Sequence, residues 1–281
     1  MRCMKGWSVL ATTLILFAPY ARAAAQQSVE PSGPVVIPQS ESFTLGGGPG
    51  ETPYRISVAL PSGYGEDLDE RYPVLYAVDA DAGFASLVDV TRFLALSGET
   101  PKVIVVGIGY GTDLATWRRR RGVDLKPQLQ AEPGRPGGAS RFLDFITGEV
   151  IPSVEGRYRC AEGRTFFGYS LGGLFGTWVL FHRPGIFHHY ILGSPSYGWA
   201  GGVALKWPSE VDGAGPAPTG EVFTSVGTEE SEAMIGNWQT FWEATEALDI
   251  PGLRIVRGTI DETHAGAVWH TLVKGVKAVL R

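Results

Sequence analysis

The chain has 281 residues, 44% of them hydrophobic and 19% charged, with a formal net charge of −5. That composition excludes a disordered chain, and the acidic balance excludes a general nucleic-acid binder, which would carry a basic stripe. The length suits one large domain of alternating strands and helices better than two small ones.

Arg2 and Lys5 precede an apolar stretch, Trp7 to Phe17, that is too short to span a bilayer comfortably. Ala21-Arg22-Ala23 and Ala23-Ala24-Ala25 both offer small-residue cleavage sites. Residues 1–25 therefore read as a signal peptide, with an uncleaved anchor as the competing reading. The mature protein is expected to be secreted or periplasmic, with no stable membrane insertion after leader removal. Cys3 would leave with the leader and strand Cys160, so no internal disulfide is expected. Residues 26–39 are polar and proline-rich (Pro31, Pro34, Pro38), which reads as a linker. Residues 40–281 are expected to form a single domain.

Ser40 to Leu45 and Tyr54 to Leu60 read as an antiparallel hairpin closed by a loop at Gly46 to Gly50. Ile56, Val58 and Leu60 alternate there with Ser57 and Ala59, as in a half-buried strand. Tyr72 to Asp79 and Val103 to Ile108 are continuous apolar runs that fit strands buried on both faces. Phe84 to Leu96 has helical spacing between them. Thr112 to Gly138 has no clear period and many Gly, Pro and Arg residues, so a long irregular insertion is expected at a strand end. Phe142 to Val154 reads as an amphipathic helix and Arg164 to Phe167 as a strand. Strands follow at Tyr190 to Gly193, Glu221 to Gly227 and Leu253 to Ile260, and helices at Leu171 to His182, Ser231 to Leu248 and Ala267 to Leu280. Trp199 to Gly220 reads as irregular. This alternation predicts an α/β protein with a mostly parallel, doubly wound sheet and the antiparallel N-terminal hairpin at one edge.

Gly168-Tyr169-Ser170-Leu171-Gly172 fits G-x-S-x-G between a strand and a helix, the context a nucleophile elbow requires. An inert serine on a glycine-rich turn is the competing reading. A serine nucleophile needs a base and a group to orient that base. Of five histidines, His182, His188 and His189 fall by position at the far side of the sheet, and His270 lies inside the last helix. His264 lies in the loop between the last strand and the last helix, where the base belongs in the order nucleophile, acid, histidine. The acid is expected after the strand ending at Gly227. Glu230 is the first choice and Glu229 the close competitor, with Asp261 and Glu262 as weaker alternatives. Two backbone N–H groups would form an oxyanion hole, one from Leu171 and one from Asp81 or Ala80 in the loop after Asp79. The Asp79 side chain is expected to cap or brace that turn. No spacing suggests a metal site, and no cofactor is expected.

With those residues placed, the chain resembles the putative-esterase (esterase D and enterobactin-esterase-like) family of α/β hydrolases. The matching pieces include Leu60-Pro61-Ser62-Gly63-Tyr64, Tyr72 to Asp79, Arg121-Gly122-Val123-Asp124, Phe167 to Leu174, Ser194-Pro195-Ser196, Val226-Gly227-Thr228-Glu229-Glu230 and His264-Ala265. Their ordered set runs from the first hairpin to the last helix. The resemblance implies an α/β-hydrolase fold and a serine carboxylic-ester hydrolase working through an acyl-enzyme on a small-molecule ester. The branch it is most similar to acts on trilactone siderophores. Feruloyl or acetyl esterases and acyltransferases of the same fold are the alternatives, and a non-catalytic binding protein is the alternative of another class. Two departures touch the rim: Asp79-Ala80 stands where the family usually has Asp-Gly, and Tyr197-Gly198-Trp199 where it often has two adjacent tryptophans. The resemblance singles out Arg121, in its R-x-x-D, as a substrate-binding residue. Arginine pairs bidentately with anions, though Arg118 to Arg121 also reads as a solvated charge run. Trp117, Trp199 and Tyr110 are candidate aromatic faces of the pocket.

Overall fold

The computed structural model describes residues 33–46, 52–127, 137–211 and 216–280. The chain divides into two compact units, residues 1–36 and Ile37–Arg281. The expected leader and the first half of the linker lie outside the described residues, as does the tip of the first hairpin. In the first unit, residues 33–36 carry no regular secondary structure.

Among the described residues the second unit has eight strands: β1 (Ser40–Leu45), β2 (Tyr54–Ala59), β3 (Tyr72–Val78), β4 (Ile104–Gly109), β5 (Cys160–Tyr169), β6 (His189–Gly193), β7 (Gly220–Gly227) and β8 (Leu253–Ile260). They form one sheet in the order β1-β2-β4-β3-β5-β6-β7-β8. β1 pairs antiparallel with β2, and β2 antiparallel with β4. The pairs from β4 through β8 are parallel. The expected doubly wound sheet with an antiparallel edge is therefore the observed one. β4 lies on one side of β3 and β5 on the other, so the winding reverses there. The carboxyl ends of β3 and β5 consequently border the crevice in which open α/β sheets bind ligands.

Helices α1 (Ala80–Leu96) and α7 (Ala267–Val279) cover one face. On the other lie α3 (Ala139–Phe145), α4 (Ile151–Arg157), α5 (Leu171–His182) and α6 (Glu232–Glu246), with α2 (Leu114–Asp124) beside α3. The two-residue period of a strand sorts the core into these layers. Tyr76 and Phe166 pack with Phe175 and Trp242 on one face, while the adjacent Leu75 and Phe167 pack with Leu87, Val88, Leu272 and Val276 on the other. Burial of each such large apolar side chain contributes about 1.5–3 kcal/mol.

Three local expectations need correction. Residues 114–124 are helical rather than irregular: the Asp113 side chain caps α2 by accepting from the Ala115 and Thr116 N–H groups at 2.9 and 3.0 Å. α2 buries little beyond Asp124, so no apolar period marks it in the sequence. The helix α1 begins at Ala80, not Phe84, so the expected loop after Asp79 is in fact its first turn. Finally, the helix expected over Phe142 to Val154 contains a π-turn at Ile146–Val150 between α3 and α4. Pro152 sits at the start of α4 and lacks the N–H that would bond four residues back, and the wider turn absorbs that loss.

Candidate active site

β5 ends at Tyr169 and α5 starts at Leu171, which leaves Ser170 alone in the turn at φ 58° and ψ −114°. A non-glycine residue there is strained by about 1–3 kcal/mol and persists only when its surroundings over-determine it. They do so here. The Ser170 N–H donates to the Gly193 carbonyl at 2.9 Å, and the Ser170 carbonyl accepts from the Leu174 and Ser196 N–H groups at 3.0 and 3.1 Å. The turn is also too tight for a side chain at Gly168, where a Cβ would stand 2.2 Å from the Gly172 carbonyl oxygen. The Ser170 hydroxyl lies 3.2 Å from the Ser196 hydroxyl. Leu171, the first residue of α5, presents its N–H at a helix N-terminus, where backbone donors lack intrahelical acceptors.

The histidine loop follows β8. His264 Nδ1 donates to Glu230 Oε2 at 2.7 Å, since an ionised carboxylate can only accept. The Glu230 side chain is only 2% exposed. Its other oxygen accepts from the Ser194 hydroxyl and, at 3.0 Å, from the Gly227 N–H. Burial opposes ionisation of Glu230, but the hydrogen bonds from His264, Ser194 and Gly227 outweigh it and hold the carboxyl below the usual range. Of the four acids weighed from the sequence, Glu230 is the one hydrogen-bonded to His264. Glu229 is exposed, Asp261 accepts from the Thr228 hydroxyl at 3.0 Å, and Glu262 accepts the Glu229 N–H through its carbonyl.

The elbow reaches this pair through Tyr169. Its hydroxyl donates to the His264 carbonyl at 2.7 Å and lies 2.9 Å from the Ser194 hydroxyl, and its ring centroid is 5.2 Å from that of His264. The other histidines sit elsewhere. His182 bonds the Trp178 carbonyl, His188 accepts from the Arg164 N–H, His189 faces Glu221 and His270 lies on α7.

On the other flank, Asp79 joins β3 to α1 in the left-handed region, at φ 60° and ψ 32°. Its carboxylate makes no cap to α1. Instead it takes a two-pronged bond from Arg121, Nε to Oδ1 and Nη2 to Oδ2, both at 2.7 Å. The two side chains are 15% and 18% exposed. The Arg121 guanidinium also lies 5.0 Å from the Trp117 ring centroid. Arg121 is thus bound to the strand end beside the elbow. Asp81 sits in the first turn of α1, and its carboxylate accepts from the Tyr110 and Gly111 N–H groups at 2.6 and 2.7 Å. The Asp81 amide lies over Gly109 of β4, 3.2 Å from where a Cβ would be. Trp199 is half-buried and packs against the core of the α5 face. Its N–H donates to the Ser196 carbonyl at 3.0 Å. Among the described residues, no group of three or more His, Cys, Asp or Glu side chains could hold a metal ion. No described helix is long and apolar enough to cross a membrane. Cys160 is free, and burial pushes its thiol up to about 11.

Sequence reasoning quoted Ser194, Ser196, Asp79 and Arg121 but not their partners, and it passed over Tyr169 as a site feature. Tyr169 occupies a variable position of the elbow pattern, and hydroxyl partners leave no spacing signal. The one available clue was the Gly193-Ser194 step at the end of a buried strand.

The family model described as Putative esterase matches residues 50–270. The siderophore triacetylfusarinine C esterase of Aspergillus fumigatus is 37% identical over 172 residues, 59% of this chain and 59% of that protein. The ferri-bacillibactin esterase BesA of Bacillus subtilis is 37% identical over 148 residues, 48% of this chain and 51% of its own length. The match thus spans somewhat more than half the length of these relatives. Among solved structures, the BES protein from Bacillus cereus superposes with a TM-score of 0.76 at 24% identity, covering 90% of this chain and 99% of that one. At that identity it speaks for the fold.

Proposed function

The chain belongs to the Putative esterase family, and from that premise we propose that it is a serine carboxylic-ester hydrolase acting on siderophore esters. The observation that carries the reading is the His264–Glu230 hydrogen bond, 2.7 Å long, held against the strained elbow that presents Ser170. With Nδ1 committed to Glu230, Nε2 is the nitrogen that takes the Ser170 proton as Oγ attacks the ester carbonyl. The tetrahedral oxyanion is met by the Leu171 N–H and by a second N–H from the first turn of α1, Ala80 or Asp81. Collapse expels the alcohol, protonated by His264, and leaves an acyl group on Ser170. Water then attacks with His264 as base, the acid departs, and the Ser170 hydroxyl is restored.

The siderophore substrate class rests on the names of the relatives, with Trp199, whose backbone N–H bonds the Ser196 carbonyl beside Ser170, as the candidate aromatic contact. Export by the N-terminal leader belongs to the same proposal, and cell fractionation with N-terminal sequencing of the mature protein tests it. The activity test is hydrolysis of a p-nitrophenyl ester and labelling by a fluorophosphonate, each lost in Ser170→Ala. Comparison of a trilactone siderophore, a feruloyl sugar and a simple aryl ester then tests the substrate class. Equal slow rates on all three would leave the siderophore part without support.

A further inference from the structure

Resting on that reading of Ser170, His264 and Glu230, we propose that Ser194 and Tyr169 are positioning residues for the base. Ser194 orients the Glu230 carboxylate, and Tyr169 fixes the backbone of His264. Each hydroxyl has one hydrogen. The Ser194 hydrogen goes to Glu230 Oε1, and the Tyr169 hydrogen goes to the His264 carbonyl. Both therefore point into the His–Glu pair, and the two hydroxyl oxygens lie 2.9 Å apart. With Ser194 on one oxygen and His264 on the other, the carboxylate is held at both ends, which fixes its rotation about the last side-chain bond.

The backbone supplies a second, independent observation. Ser194 is fully buried and sits at φ 37°, in the left-handed region where glycine would be unstrained. What the serine adds over glycine is a hydroxymethyl group whose oxygen donates to Glu230 and lies against the Tyr169 hydroxyl. Strain at a buried polar residue whose hydroxyl donates to Glu230 and lies against Tyr169, which itself holds the His264 carbonyl, points to the His–Glu pair as its role. Two glycines open the space for the arrangement. A Cβ on Gly193 would stand 2.3 Å from the Tyr169 ring, so its absence lets the ring lie against β6 with its hydroxyl at Ser194. A Cβ on Gly227 would stand 2.4 Å from the Glu262 carbonyl, so its absence lets the histidine loop approach the acid.

The strain makes the inference separable from a structural role. Ser194→Gly relieves the backbone while removing the hydroxyl. It should keep its melting temperature within a few degrees of wild type yet lose kcat about ten- to a hundredfold, the worth of a hydrogen bond to a charged group. KM should stay within about twofold, because the ester does not touch Ser194. Ser194→Ala, which keeps the strained Cβ, should lose kcat to the same extent, and Tyr169→Phe should lose about three- to tenfold. Hydrolysis that depends on Ser170 but keeps its kcat within about twofold in both Ser194 variants overturns the inference alone. So does a kcat loss matched by loss of folded protein in both. Ester hydrolysis that survives in Ser170→Ala overturns the underlying reading and the inference with it.

Discussion

Two regions meet at Asp79. On one side is the elbow, where a Cβ on Gly172 would lie 3.7 Å from the Asp79 carboxylate. On the other is α2, whose Arg121 binds that same carboxylate. The elbow side is made of backbone necessity: a strand, a turn with no room for a side chain at Gly168 or Gly172, and a helix. Its chemistry is therefore written in a short local pattern. The α2 side is made of long side chains on a polar helix. Arg118 to Arg121 look like one basic patch in the sequence, yet successive helical residues are rotated by about 100° and send their side chains apart. Arg119 bonds the Thr116 hydroxyl, Arg120 reaches the Thr52 and Pro53 carbonyls over the Tyr54 and Tyr110 rings, and Arg121 holds Asp79. A run of like charges was resolved into separate structural tasks.

The contrast can be broken most severely on the elbow side. His264→Ala should lower kcat/KM for a p-nitrophenyl ester by about ten-thousandfold, measured on protein shown to be folded because the buried Glu230 carboxylate also loses a partner. Glu230→Gln should cost about a hundred- to ten-thousandfold in kcat, whereas Glu229→Gln should stay within about twofold. Reversal of that order would move the acid to Glu229.

On the α2 side the expected effects are on stability. Arg121→Ala leaves the mostly buried Asp79 carboxylate without its partner and should cost about 2 kcal/mol, read as a fall in Tm of roughly 4–8 °C. Arg121→Lys should recover only part of this, because an ammonium cannot make the two-pronged bond. Arg118→Ala should change stability by less than about 0.5 kcal/mol. Equal losses at Arg118 and Arg121 would restore the view of one undifferentiated patch.

The smallest effect concerns pH. The folded state holds the Glu230 carboxyl below the usual range, so the unfolded chain binds its proton first as pH falls. The stability gained from this group is complete above the unfolded carboxyl pKa and is lost as pH drops through the lower, folded value. Thermal melts of wild type and Glu230→Gln between pH 7 and pH 3 should therefore converge toward the acid end.

The sequence determined the parts of this protein that local periodicity encodes. β8 was expected at Leu253 to Ile260 and is found there, and the elbow helix was expected at Leu171 to His182 and is found there. The candidate acid and histidine were legible because they follow strand ends, and in a parallel sheet the carboxyl ends of strands share one edge. α2 was not legible: an exposed polar helix buries no stripe, and its main local signal is a single capping aspartate. Only the tertiary structure decided which hydroxyls and carboxylates touch. Glu230 lies 36 residues after Ser194 and Arg121 lies 42 after Asp79, and a hydrogen bond between distant residues imposes no period on either segment. The fold could be read from the chain because burial repeats along it. The network around Glu230 and the clamp at Asp79 could not, because each is made of isolated contacts that only the folded chain brings within 3 Å.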